Sequence, residues 1–245
     1  MSTKSLWYPG EGAPENMTFR DSAYGALAGT MWSRAPSLAQ LCCPGEYYQF
    51  HEDFSGWNAT AAEQWTQTTV GTGTYLIDVL EKYGALKLTT TAGATDANQM
   101  QLLAGVVVAA GKPVFAEAMV KIDTNALTAF LWGLAVTDTS LLASAPTDGI
   151  YFRKDSADAN IDCVSRASST STDQDTTIDA VNAAYVRLGI VAFSTQVDFY
   201  VDGVLKKSST TNIPTAILRP SFAVLNGEAA ANNYQLDFVK VLAAR

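Results

Sequence analysis

The stretch Val197-Asp198-Phe199-Tyr200-Val201-Asp202-Gly203-Val204-Leu205 decides the fold class. Val197, Phe199 and Val201 alternate with Asp198 and Asp202, the period of an extended strand that buries the first set and hydrates the charged residues. Asp202-Gly203 is then the pair a two-residue hairpin requires, because both central positions of a type I′ turn have positive φ and glycine adopts it without a steric penalty. Nothing elsewhere in the chain converges on this pair as a ligand site. It is read as the turn that sets strand register.

Working outward, short strand-like runs recur at residues 76–80, 85–91, 99–108, 113–122, 129–136, 149–153, 161–166, 185–193, 221–225 and 234–241. Within 113–122, Val114, Ala116, Ala118 and Val120 alternate with Phe115, Glu117, Met119 and Lys121, so both faces are largely apolar. That pattern predicts a central strand covered on both sides. Residues 167–175 are almost wholly Ser, Thr, Asp and Gln and are expected to form an exposed hairpin loop, and Tyr83-Gly84 a turn. Regular spacing of short strands without a convincing amphipathic helix predicts an all-β fold, a two-sheet antiparallel jelly-roll sandwich. No short-period repeat marks a solenoid or propeller.

The chain has 245 residues, 48% of them hydrophobic, enough for one sizeable core. Residues 50–245 are assigned to the sandwich and residues 1–49 to an extended, irregular N-terminal arm. The arm holds four of the eight prolines, Pro9, Pro14, Pro36 and Pro44, and no sustained period. Its Leu6, Trp7, Tyr8, Phe19 and Trp32 carry more apolar surface than a solvated tail, so they are the candidate partner-binding residues. Residues 35–42 are expected to form one short helix, with Pro36 tolerated in its first turn.

Sixteen basic against 24 acidic residues give a net charge of −8, which opposes general attraction to polyphosphate and argues against a nucleic-acid partner. The amino terminus lacks the apolar run of a signal peptide, and no stretch approaches the ~20 apolar residues of a membrane span. Synthesis in the cytoplasm without secretion is the expectation. Cys42 and Cys43 are adjacent and Cys163 is alone, so the three cysteines are read as free thiols rather than a disulfide framework.

Four segments resemble the concanavalin A-like or laminin-G-like jelly roll: Phe50-His51-Glu52-Asp53-Phe54, Phe130-Leu131-Trp132-Gly133-Leu134-Ala135, Phe199-Tyr200-Val201-Asp202-Gly203-Val204 and Tyr234-Gln235-Leu236-Asp237-Phe238-Val239-Lys240-Val241. A narrower likeness lies in Trp132-Gly133-Leu134-Ala135-Val136-Thr137-Asp138-Thr139, Asp148-Gly149-Ile150-Tyr151-Phe152-Arg153-Lys154-Asp155 and Thr211-Asn212-Ile213-Pro214. These segments resemble structural proteins of tailed bacteriophages. The resemblance implies a non-enzymatic virion protein, foremost a capsid decoration or cement protein on the capsid exterior. Its partners would be the major capsid protein and copies of itself, as a homotrimer at a local symmetry axis. The alternative it implies is a carbohydrate-binding or host-adhesion module of a head fibre or tail, with Trp57 and Trp65 as the residues that stack on sugar.

Glucanases share this jelly roll, and retaining hydrolysis needs two carboxyl groups roughly 5 Å apart. Glu117 is followed by Met119 on its face and the next Glu is Glu228, so the paired motif is missing and no catalytic residue is assigned. His51, the single histidine, has no nucleophile motif beside it and cannot with scattered cysteines supply a transition-metal set. No cofactor is expected. Calcium is the one ion the laminin-G resemblance allows, through Asp155, Asp158 and Asp162 or Asp173, Asp175 and Asp179, though neither trio has EF-hand spacing.

Overall fold

The computed structural model describes residues 47–55, 63–82, 84–124 and 127–245, and the chain is already in its first strand at Tyr47. In chain order the strands are β1 (Tyr47–Glu52), β2 (Trp65–Val70), β3 (Thr74–Ile77), β4 (Leu86–Thr89), β5 (Ala97–Leu102), β6 (Val106–Val107), β7 (Val114–Ile122) and β8 (Thr128–Ala135). They continue as β9 (Gly149–Lys154), β10 (Asn160–Ala167), β11 (Thr170–Asp179), β12 (Val186–Phe193), β13 (Gln196–Val201), β14 (Val204–Ser209), β15 (Ile217–Asn226) and β16 (Asn233–Ala244). One sheet, called A, runs β14-β13-β12-β7-β16-β4-β3, with β1 also paired to β16. The other, B, runs β11-β10-β9-β8-β15-β5-β2, with β6 also paired to β15. All pairings are antiparallel and no helix occurs among the described residues, so the chain is a two-sheet jelly-roll sandwich.

The inward faces meet through large rings. Phe152 of β9 stands edge-on to Phe199 of β13 at 5.4 Å, and Phe130 of β8 stacks on Tyr234 of β16 at 5.5 Å. Each ring is fully buried, and removing such a side chain from water stabilises the fold by about 1.5–3 kcal/mol. Gly133 is small for a packing reason: a Cβ there would collide with the Tyr151 backbone on the paired strand.

The Asp202-Gly203 hairpin forms as expected. Val201 pairs with Val204, and Asp202 and Gly203 have φ of 50° and 78°. The Asp202 amide donates to the Arg187 carbonyl at 2.8 Å and its carboxylate accepts from the Arg187 amide at 3.0 Å, which pins the turn to β12.

Several expectations need correction. Asp198 is not hydrated; it is 1% exposed, and Gln196 Nε2 and Ser208 Oγ donate to it at 2.6 Å each. Residues 170–179 form β11, not a loop; only Ser168 and Ser169, both at positive φ, turn between β10 and β11. A polar strand is stable there because β11 is the sheet edge and its threonines suit a pleated, solvated surface. β3 stops at Ile77 because the Asp78 carboxylate accepts from the Leu80 amide at 3.1 Å and closes a turn, leaving Leu80 92% exposed. The sandwich already includes Tyr47, which pairs with Ala244. The run 99–108 divides into β5 and β6, and β2 has no counterpart among the expected strands. The helix expected at 35–42 lies outside the described residues, as does Tyr83 of the expected turn.

Replacing Gly203 with valine puts a β-branched side chain at positive φ. A loss of about 1–2 kcal/mol is expected, read as a lower urea midpoint with an unchanged slope.

Candidate functional site

β1 places its residues alternately. Gln49 and His51 are exposed, while Tyr48 and Phe50 lean onto the edge of the core. Opposite them, the end of β5 is held to the segment before β2 by a hydrogen bond from the Leu103 amide to the Gln64 carbonyl at 2.8 Å. Between these elements lies an open cleft of ≈ 390 Å³, lined by Tyr48, Phe50, Glu63, Gln64, Leu102 and Leu103. Its walls are aromatic and aliphatic, and the Glu63 carboxylate and Gln64 amide supply an acceptor and a donor at exposed positions. Burial raises the Tyr48 phenol above its ordinary value, so at neutral pH it remains a donor. The size falls within the range of small-ligand clefts, and the chemistry suits a sugar, whose CH face packs on rings while its hydroxyls bond to polar groups.

Trp65 stands behind this cleft, not in it. It is 6% exposed, with Phe222 at 5.0 Å and Phe50 at 5.8 Å, so its ring faces are taken by the core. It supports Phe50 and offers no free stacking surface, which corrects the sugar-platform expectation at this residue. Trp57 lies outside the described residues, as do Leu6, Trp7, Tyr8, Phe19 and Trp32. No expectation named Tyr48 or Glu63 as a site; β1 and the segment before β2 come together only through the sandwich edge.

The two aspartate trios meet, but around a guanidinium. Antiparallel register sets Arg153 opposite Asp162, and Asp162 opposite Asp175. Arg153 Nε lies 3.2 Å from Asp155, and its terminal nitrogen lies 3.8 Å from both Asp162 and Asp173. Asp158 accepts from the Asn160 amide at 2.9 Å, and Asp175 from the Thr177 amide at 2.6 Å. Asp179 sits at the far end of β11, opposite Asn160. The positive charge among these acids is therefore an arginine, and no group of three or more His, Cys, Asp or Glu among the described residues is placed to hold a metal. Lys154 next door is fully buried, its ammonium donating to the Thr128 and Asp155 carbonyls at 2.9 Å each, and burial lowers its pKa.

The groups considered for catalysis are dispersed. Glu117 is 3% exposed on the outward face of sheet A, with Arg187 Nε 3.8 Å from its carboxylate. His51 is exposed on β1 opposite Lys240. Cys163 is a free thiol buried between the sheets, and burial pushes its pKa up. On the outward face of sheet B, the buried Tyr151 hydroxyl has no hydrogen-bond partner among the described residues, and burial raises its pKa to about 12.

No family model matches the chain, and no curated protein does. Solved structures share its fold. The carbohydrate recognition domain of Emp47p superposes with a TM-score of 0.59 at 10% identity, over 80% of this chain and 96% of that one. A native glycosidic hydrolase gives 0.57 at 15% identity, over 79% and 94%. A protein of unknown function from Shewanella oneidensis MR-1 gives 0.57 at 15% identity, over 99% and 97%. These likenesses establish a concanavalin A-like, lectin-like jelly roll.

Desolvation raises the Asp162 carboxyl above the ordinary range; Arg153 opposes the shift, and Asp158, Asp175 and Asp155 reinforce it. Below the unfolded-state pKa both states hold the proton and the shift costs nothing; above the raised folded-state pKa the ionised group carries its full penalty. Asp162→Asn is therefore expected to raise the urea midpoint at neutral pH. The gain should disappear below about pH 3.

Proposed function

We propose that this chain is a non-catalytic carbohydrate-recognition module that binds a saccharide in the cleft formed by Tyr48, Phe50, Glu63 and Gln64. The observation that carries the reading is the cleft: aromatic walls and a carboxylate-amide pair around ≈ 390 Å³. The likeness to a domain named for carbohydrate recognition supports it, although at 10% identity it is the fold that is shared. A glycosidic hydrolase has the same fold, but the residues of this chain speak against hydrolysis. Glu117, the carboxylate best placed on a central strand, is buried beside Arg187, and Met119 occupies the next position on its face.

The setting we propose is a bacteriophage virion, where such a module serves host adhesion from a head fibre or tail. A capsid decoration or cement role, with the major capsid protein and copies of itself as partners, is the second reading. It is favoured by the phage-like segments around Trp132 and Asp148 and by the aromatic content of residues 1–46. Neither setting requires a metal.

A glycan array probed with the full chain, with and without calcium, tests the cleft. Saturable binding to one glycan class is expected, and Tyr48→Ala and Glu63→Gln should each weaken it by about tenfold or more, equivalent to about 1.4 kcal/mol; Glu63→Gln, at an exposed position, should leave the melting temperature unchanged, while Tyr48→Ala also lowers it because Tyr48 packs on the core. Glycan binding untouched by both substitutions would remove the site from this cleft. A blank array, together with sedimentation of the chain on phage capsids, would transfer the function to the decoration reading.

A further inference from the structure

Ile150 and Phe152 of β9 point into the inter-sheet core, so Tyr151 between them stands on the outward face of sheet B, where it clusters with Leu131, Leu141 and Val164. Two glycines leave room for its ring. A Cβ at Gly133, its partner on β8, would lie 2.6 Å from the Tyr151 Cβ, and one at Gly149 would lie 2.9 Å and 3.0 Å from the ring's Cδ1 and Cε1. Leu141 belongs to the β8–β9 connection, which two glutamines of β5 hold in place: Gln99 donates to the Asp138 carbonyl at 2.6 Å and accepts from the Leu141 amide at 2.9 Å, while Gln101 donates to the Val136 carbonyl at 3.0 Å and accepts from the Asp138 amide at 2.9 Å. The ring is therefore fixed and 1% exposed, yet its hydroxyl meets no hydrogen-bond partner among the described residues.

Register sets two arginines on the same face, and they are not equivalent. Arg153, two residues along β9, lies opposite Asp162, which lies opposite Asp175, and its guanidinium is ringed by Asp155, Asp162 and Asp173. Arg166 of β10 lies between Gly149 on β9 and Ser171 on β11, so its own row across the sheet carries no acid. Asp148, the nearest carboxylate along that end of β9, already accepts from the Ser168 amide at 3.1 Å. Among the described residues Arg166 has no ion pair, and its buried Nε–H has no acceptor. A guanidinium only donates. Burial raises the Tyr151 hydroxyl to about 12 against the pull of Arg153 and Arg166, so at neutral pH it keeps its proton and is a donor as well. Two buried donors and one unmatched positive charge thus lie together, and the partner that would satisfy them is an acceptor carrying negative charge.

We propose that Arg166 and Tyr151 form a binding site for the carboxylate of a small organic acid, on the outward face of sheet B. The guanidinium of Arg166 gives charge-assisted hydrogen bonds to the carboxylate, and the Tyr151 hydroxyl donates to one of its oxygens. The hydroxyl is closed off from solvent while Arg166 is half-buried, so the Arg166 side chain is the part that shifts to admit the ligand. An uncharged sugar offers acceptors without the charge, and the site discriminates against it. It shares no residue with the Tyr48 cleft and stands whether or not that cleft binds a saccharide.

Titration of the full, nitrogen-15-labelled chain with sodium glucuronate and with sodium acetate tests this, read at the arginine Nε–H signals by NMR, with glucose and sodium chloride as controls. The signal lost in Arg166→Lys identifies Arg166. A saturable shift of that signal with a carboxylate is expected, and none with glucose or with chloride at matched ionic strength. Binding of glucuronate alone would assign the site to acidic sugars, and equal binding of acetate to small carboxylates at large. Tyr151→Phe should weaken binding by about tenfold, the loss of one hydrogen bond to a charged group, and should also raise the urea midpoint, because the unpartnered hydroxyl is gone. Glu63→Gln should leave this binding unchanged, which separates it from the cleft. No saturable shift, or the same shift with chloride, would overturn the proposal. So would binding that Tyr151→Phe leaves intact, or a urea midpoint that it lowers, since the hydroxyl would then already have a partner within the fold.

Discussion

Sheet A depends on where β16 pairs. This last strand lies along β7 on one side, and on the other it pairs first with β4 and then with β1, so Tyr47 meets Ala244 across almost the whole described chain. The same strand joins the two sheets, because Tyr234 stacks on Phe130 and points its hydroxyl at the Leu131 carbonyl, 3.4 Å away. A bulge between Leu236 and Phe238 keeps it apolar inward along its length. Tyr234 and Leu236 face the core before the bulge and Val239, Val241 and Ala243 after it, a change of parity that absorbs Asp237. Sheet A therefore cannot close until the carboxyl-terminal strand has arrived. Such non-local pairing makes folding slow compared with a helical chain of equal length.

That dependence also creates the cleft. β1 occupies only the carboxyl-terminal half of β16, and in that position Tyr48 and Phe50 lean over the sandwich edge towards Leu102 and Leu103. At the opposite end of the sandwich the space is filled by amides. Asn226 receives the Thr90 hydroxyl at 2.6 Å and the Asn232 amide at 3.0 Å, and donates to the Thr91 and Gly93 carbonyls. Buried polar groups so fully paired fix geometry and leave nothing to offer a ligand. With one end closed in this way, the open cleft lies at the other, at the Tyr48 edge.

Period-two alternation was sufficient to read the hairpin and the strands around it, and the mixed apolar pattern of Phe115, Glu117 and Met119 correctly marked a strand buried on both sides. It failed where burial and polarity part company. Trp65-Thr66-Gln67-Thr68-Thr69-Val70 and the Ser-Thr-Asp run of β11 are strands because neighbours supply their hydrogen bonds, not because they alternate. Asp198 looked hydrated because its charge was visible while Gln196 and Ser208, the groups that solvate it in place of water, were not. The aspartate trios were legible as neighbours in sequence, but only strand register brings Arg153 between them. Tyr48 and Glu63 share no motif, and Trp65 looked more like a sugar platform than Phe50 because residue type says nothing about which ring the core has already claimed.

An open cleft with few polar groups sets a limit on what one copy can do. Most of a small saccharide's surface would stay in water, and the cost of fixing it is offset by one or two stacked faces and a few hydrogen bonds, so a single site of this kind binds weakly. Weak sites become useful when many are displayed together, since after the first contact each further one is effectively intramolecular. On the proposed reading this connects the sugar site to the virion setting: an array of copies on a particle would turn poor individual affinity into a durable hold on a glycan-coated surface. It also gives a reason for the acidic surface. On that reading a net charge of −8 would keep crowded copies from adhering to one another without preventing a neutral ligand from entering the cleft.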